Sequence, residues 1–394
     1  MFCLILTICS VISQPLFVKE NIFPPNDKHN HGSSIVETPE GNLLTVWFHG
    51  SGERTSDDVM LQGARKKAGD NQWCAPFVMA DTPDLPDCNP VLFIDPRGVL
   101  WLFWITVQDN QWGGSLLKYR ISTDYEKDGH PQWKWQDVIH ARPLNLEQKF
   151  LEVIERGQPA IDALSAIEPK LKEEIESAKK SAQTKLHQRL GWMTRIHPIM
   201  VTDNRIMLGL YSDVFNCSLA GFTEDWGEHW FFSNPILDKE IKNISNIQPS
   251  FVKKKDGTIV AFMRDNGIPK RVRTAYSNDL GMTWSDVSVL DIPNPGSSVE
   301  CISLKSGKWI LVCNDTINGR HRLSAYLSDD EGQTWKWKKA IEEAEPDKGS
   351  FSYPSVIQTR DGLIHCTYSC REESIKGSTI RHAWFNEDWI LNSN

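Results

Sequence analysis

The 394-residue sequence lacks the runs and spacings that mark several large classes of protein. No stretch approaches the roughly 20 apolar residues that a membrane-spanning helix requires. The one long apolar run, residues 2–12, has instead the length of a secretory leader's core, with the small Ser13 near the expected cleavage point, although no Lys or Arg precedes it. It predicts a leader over residues 1–14 and an exported protein, secreted or periplasmic, with no membrane span. CxxC pairs are absent. Of nine cysteines, Cys3 and Cys9 fall in the leader and seven are scattered, which argues against a disulfide framework or a cysteine zinc site and predicts mostly buried free thiols. Neither GxGxxG nor GxxxxGK[ST] occurs, so no nucleotide cofactor is expected. Positive charge is also in the minority: 43 Lys and Arg against 51 Asp and Glu leave a net charge of −8, which argues against a general nucleic-acid binder. A single arginine pocket could still hold a small anion.

Tryptophan, by contrast, is plentiful, at 16 residues. Indoles pack between the blades of propellers and stack on sugar rings. The chain also repeats itself. Six segments share one pattern, a polar residue followed by a short strand, a turn and a second apolar strand. They begin at His31 (HGSSIVETPEGNLLTVWFHG), Asn89, His197, Gln248 (QPSFVKKKDGTIVAFMRDN), Gly296 and Tyr353 (YPSVIQTRDGLIHCTYS). Each reads as the inner hairpin of a four-stranded blade.

A second motif follows most hairpins. SNDLGMTW from Ser277 and SDDEGQTW from Ser328 match the Asp-box pattern S-x-D-x-G-x-T-W. TEDWGEHW from Thr223 is a worn copy, Ser122 to Trp133 a stretched one, and Ala64 to Trp73 keeps only Gly69 and Trp73. In such a turn the Asp accepts from backbone amides, Gly takes a positive φ and Trp packs into the blade, so Asp279 and Asp330 read as structural. Residues 145–190 have no strand pattern. They predict two or three helices inserted between blades two and three, with Asn145 as a cap, Pro159 and Pro169 in first turns and Glu176 paired with Lys180. The expected architecture is an all-β, six-bladed propeller over residues 30–390, with residues 16–19 adding or covering an outer strand to close the ring.

Strand direction selects the face of the site. Strands alternate, so first-strand starts and second-strand ends share one face, and the Asp boxes lie on the other. The starts supply His31, Asn89, His197, Gln248, Ser297 and Tyr353. The second-strand ends and the loops beyond them supply Arg54, Asp57, Asp58, Tyr211, Asp213, Arg264, Asp265, Asn314, Asp315 and Arg320. The insertion, with Trp192 and Arg195, belongs to this face as well. Propellers bind ligands where such starts converge on the axis. No metal site is evident, and His31 and His197 are expected to form at most a hydrogen-bonded pair across the channel.

On the two intact boxes and six hairpins, the chain from Asn30 onward resembles the sialidase superfamily, and within it the bacterial BNR-repeat-like branch. The resemblance implies an active site over the central channel. It implies Tyr353 as nucleophile, Arg264 and Arg320 as carboxylate-binding arginines, and Arg54 with Asp57 and Asp58 as the arginine and acid/base region. Two positions depart from the family pattern: His31 stands where the first arginine is expected, and Gln248 where a glutamate would assist the tyrosine. Three readings follow. The first is an exo-acting glycoside hydrolase on a terminal acidic sugar, with Tyr353, Asp57, Asp58 and His31 catalytic and Arg54, Arg264, Arg320, His197, Gln248, Asn89 and Arg195 binding substrate. The second is a uronic-acid lyase or rhamnosidase-like enzyme that uses a histidine. The third is a non-catalytic carbohydrate-binding propeller. In each case the partner is a carbohydrate, and a monomer is expected.

Overall fold

The structure is a computed structural model that describes residues 14–166, 170–238 and 245–392; the leader expected over residues 1–14 lies almost wholly outside them. Six antiparallel sheets follow one another along the chain. Their strands fall within residues 29–80, 87–138, 192–232, 246–293, 300–343 and 349–385, numbered here as blades one to six. In blades one, two, four and five the four strands pair in sequence order. Blade three is irregular, its first strand split into Trp192–Thr194 and Ile199–Met200.

The ring closes through the N-terminal segment. Phe17–Asn21 pairs antiparallel with Thr379–Phe385 as the outermost strand of blade six, in a register from Phe17 opposite Phe385 to Asn21 opposite Arg381. Phe17 stacks on Trp389 at 4.4 Å. A free last edge would otherwise present unpaired backbone groups.

Second strands are buried on both faces because each blade lies between two others. Leu100–Val107 (LWLFWITV) is buried at every position, and Trp101 and Trp104 are fully buried. This is why these strands read as continuous apolar runs rather than alternating ones. The Asp boxes form the expected turns. Asp279 accepts from Ser277 Oγ and the Thr283 amide, and Asp330 repeats the pattern with Ser328 and Thr334. In both turns the residue before the glycine is left-handed as well, with Leu280 and Glu331 at φ 58°. The box glycines sit against the preceding blade: a Cβ on Gly332 would lie 3.2 Å from Phe262.

The insertion forms three helices, Leu146–Ser165, Lys170–Gln183 and Lys185–Arg189. Phe150 meets Phe215, in the turn between the second and third strands of blade three, at 5.4 Å, so the helices sit on the face opposite the boxes. Details differ from expectation. Pro159 lies inside the first helix, Pro169 lies outside the described residues, Asn145 bonds Asn234 rather than capping, and Glu176 pairs with Lys179. All seven cysteines among the described residues are unpaired, and only Cys74 is exposed. No helix among those residues is long and apolar enough to cross a membrane.

Candidate active site

Four of the innermost strands break register near the axis. The shifts lie between His31 and Ser34, Cys88 and Val91, Ile247 and Ser250, and Ser352 and Ser355. At each shift one residue is left-handed: Gly32 (φ 65°), Asn89 (53°), Gln248 (56°) and Tyr353 (60°). Bulges re-aim side chains, and non-glycine residues held in this region store about 1–3 kcal/mol each. Here they turn Asn89, Gln248 and Tyr353 into a common pocket of about 210 Å³ over the channel.

A polar chain crosses that pocket. Asn89 Nδ2 donates to the Tyr211 phenol at 3.0 Å. The Gln248 side chain lies against the phenols of both Tyr211 and Tyr353 and favours their ionised forms. Arg264 Nη1 donates to the Tyr353 oxygen at 2.8 Å, while its Nε holds Asn266. The Arg320 guanidinium lies 5.3 Å from the centre of the Tyr353 ring. Burial opposes ionisation of Tyr353, but Arg264, Arg320 and Gln248 outweigh it and hold the phenol below its ordinary range. Tyr211 goes the other way, pushed well up by burial and by the neighbouring Asp213 and Tyr353. Burial also raises Asp213, with Arg264 and Arg54 only partly offsetting it, and its Oδ1 has no partner. His31 packs on Tyr353 at 4.2 Å between ring centres. Burial, then the charges of Arg320, His29, Arg195 and Arg264, push it well below the usual histidine value, so its imidazole is neutral.

The structure thus brings together six of the expected residues: His31, Asn89, Gln248, Arg264, Arg320 and Tyr353. It places the others elsewhere. Asp58 turns back on its own loop, accepting from the Ser51 amide at 3.0 Å and lying 3.4 Å from Lys28. Asp57 accepts from Asn110 at the surface. Neither reaches the pocket, because Ser51 holds Asp58 within its own loop and the Asn110 side chain holds Asp57 at the surface. Glu53, from the same loop, lines the pocket in their stead. Arg54 stacks over Trp112 at 5.1 Å and does not itself line the pocket, although its charge acts on Asp213.

Arg195 and His197 form the plug beneath the pocket. Arg195, fully buried under the Tyr353 ring, donates to the carbonyls of Ser33 and Tyr353 at 3.1 and 2.7 Å. It therefore fixes the bulges that carry His31 and Tyr353 and cannot meet a ligand in the pocket. His197 does not pair with His31. Its Nδ1 bonds Glu300 at 2.6 Å and its Nε2 the Ile35 carbonyl at 2.8 Å, while Glu300 also accepts from the Val356 amide at 2.7 Å. Burial opposes the His197 charge, but Glu300 and Ile35 raise its pKa overall. Beyond it a separate cavity of about 510 Å³ opens among later residues of the inner strands.

Tyr211 and Asp213 lie on the face that strand direction predicts, and Glu53, Trp112 and Asn266 join them in the pocket from loops whose side-chain directions no sequence pattern specifies. The insertion contributes no pocket-lining residue among the described ones.

The repeat-like domain model described as the BNR repeat-like domain matches residues 41–155 and 176–366. A search of curated proteins returned no match. Among solved structures, the chain is similar to a protein of unknown function from Dyadobacter fermentans, at 14% identity over 93% of this chain and 97% of that one, with a TM-score of 0.68. It is also similar to the NanB sialidase of Streptococcus pneumoniae (11%, 94% and 71%, 0.67) and to an α-L-arabinofuranosidase from Fusarium graminearum (13%, 95% and 99%, 0.61). At these identities the likeness is one of fold, a six-bladed propeller shared with glycosidases. The family match spans most of the chain and coincides with the blades described above: this protein belongs to the BNR repeat-like domain family.

Proposed function

We propose that the protein is an exo-acting glycoside hydrolase that removes a terminal acidic sugar, with Tyr353 as nucleophile. The observation that carries this reading is the Tyr353 phenol, buried at the axis yet held toward its anion by Arg264 at 2.8 Å and by Arg320. A tyrosine in that state is an activated nucleophile. The pocket, at about 210 Å³, is smaller than the ~300–1,000 Å³ of drug-sized sites and suits a single sugar ring. The Nη2 of Arg264 is uncommitted among the described residues, and with Arg320 it offers a carboxylate a guanidinium pair.

Asp213 replaces Asp57 and Asp58 as the acid/base in this reading. Burial raises its pKa, the direction that suits a general acid, although Arg264 and Arg54 oppose it. The oxygen of Tyr353, as its phenolate, bonds to the anomeric carbon as the glycosidic bond breaks, and the Asp213 proton goes to the leaving oxygen. Water then attacks the same carbon, gives its proton to the Asp213 carboxylate and releases the tyrosine, so the product retains its anomeric configuration. Gln248 serves as a neutral polar neighbour to the phenol. Export, expected from residues 2–12, would place the enzyme where extracellular glycans occur.

One feature favours the histidine-dependent alternative: the neutral imidazole of His31 lies directly on the phenol. A uronate elimination would use His31 as base and yield an unsaturated product absorbing near 235 nm. The deciding experiment is a panel of sialosides, rhamnosyl-uronides and uronic-acid polysaccharides with products identified by mass. Hydrolysis without the 235 nm signal, abolished in Tyr353→Phe while binding persists, supports the hydrolase. Full turnover in Tyr353→Phe overturns it.

A further inference from the structure

The axial pocket is not closed at its side. A second hollow of about 200 Å³ shares His31, Glu53 and Arg320 with it. A third, of about 840 Å³, shares Arg320, Ser350 and Arg371 with the second. The three form a trough in series that runs from the axis out over blade six, with Arg320 bordering every part.

The middle stretch is chemically distinct. The side chain of Arg371, near the end of Ile364–Glu372 where the backbone pairs with Ser350, makes no hydrogen bond or ion pair among the described residues. Arg320 donates only to the Gly296 carbonyl at 3.2 Å and has no carboxylate partner there. In a chain with more acidic than basic groups, two such guanidiniums beside one small hollow form a site for an anion. Glu53 also borders this stretch, on the axial side, with His29 3.7 Å away. The hydroxyls of Ser350 and Ser352 line it without partners among the described residues and suit sugar hydroxyls. Asp27, Asp347, Glu372 and Glu373 border only the outer hollow, and there Glu372 is paired with Arg381 and Glu373 with Lys348.

We propose that this trough binds the leaving-group side of the substrate, and that the sugar unit next to the terminal one carries an anionic group held by Arg371, with Arg320, which borders both hollows, shared between that group and the terminal carboxylate. The proposal rests on the hydrolase reading for the direction of the chain. The substrate is then an anionic oligosaccharide that enters over blade six, its end seated at Tyr353.

The test is calorimetric titration of the full chain with tetragalacturonate, a κ-carrageenan tetrasaccharide and neutral cellotetraose, each against its own monosaccharide. At least one anionic tetrasaccharide is expected to bind at least tenfold tighter than its monosaccharide, while cellotetraose gains little. A carboxylate or a sulfate ligand is identified by which series tightens. Arg371→Glu should remove most of the gain and Arg371→Lys restore part of it, at an unchanged unfolding midpoint because the side chain is exposed. No gain with either anionic series, or a gain that survives Arg371→Glu, overturns the trough. An Arg371-dependent gain without sugar release keeps the trough and removes the hydrolase reading. Tyr353-dependent release with no chain-length gain does the reverse.

Discussion

The seam that closes the ring should fail in mild acid. Glu20, on the N-terminal strand, accepts from Lys66 of blade one, from the Trp73 indole, and pairs with His382 of blade six at 3.1 Å. His382 in turn meets His365 at 2.9 Å. Burial, and then the His382 charge, lower the His365 pKa to about 3. A histidine whose folded pKa is depressed stabilises the fold fully above its unfolded value near 6.5, and that contribution is lost as pH falls toward the folded value. At pH 5 the unfolded imidazole is almost wholly protonated while that of His365 stays neutral, so this one group should remove about 2 kcal/mol of stability between pH 7 and pH 5. His382, also lowered by burial, acts in the same direction. Glu20, held near 2, does not titrate in this window. The assay is urea unfolding followed by tryptophan fluorescence at both pH values, in the wild type and in His365→Gln, which keeps a polar partner for His382 but cannot titrate. The wild type should lose about 2 kcal/mol more than the variant over this interval. Equal losses in the two proteins would refute the argument.

Four further outcomes follow from the geometry. Arg264→Lys should weaken binding of an acidic sugar and slow turnover, since an ammonium cannot hold the phenol and a carboxylate in one fork; the kinetics of both steps check this. Asp213→Asn should lower hydrolysis at least about a hundredfold, with the loss smallest for substrates whose leaving group needs no proton, as aryl glycosides would show. His31→Ala should cost about a hundredfold or more if the imidazole is the base and should act mainly on affinity otherwise, so separate kcat and KM values divide the two readings. Glu300→Ala should destabilise the fold by about 3–5 kcal/mol, because it leaves the buried His197 without its partner; a denaturation midpoint measures it.

Much of this protein is legible in the sequence because propellers are built from local, repeated units. Hairpin turns and Asp boxes fix the strands, strand alternation fixes the face, and the face collects His31, Asn89, Gln248, Arg264, Arg320 and Tyr353 near the axis. The same rule, applied to the sixth blade, reaches Arg371 at its second-strand end. What strand order cannot supply is the direction of a side chain in a loop or its depth. Asp57, Asp58 and Glu53 share one loop, yet only Glu53 reaches the pocket, because Ser51 and Asn110 capture the two aspartates. Arg195 and His197 stand at the right level but inside the plug, where carbonyls of blades one and six and Glu300 of blade five claim their donors. The ionisation of Tyr353 and Asp213 likewise depends on guanidiniums brought from distant blades. Sequence periodicity determined the scaffold and its working face, because both follow from bonds between near neighbours. Tertiary structure alone decided which polar groups meet, how deeply they are buried and so which of them can do chemistry, because electrostatics depends on distance through space and not along the chain.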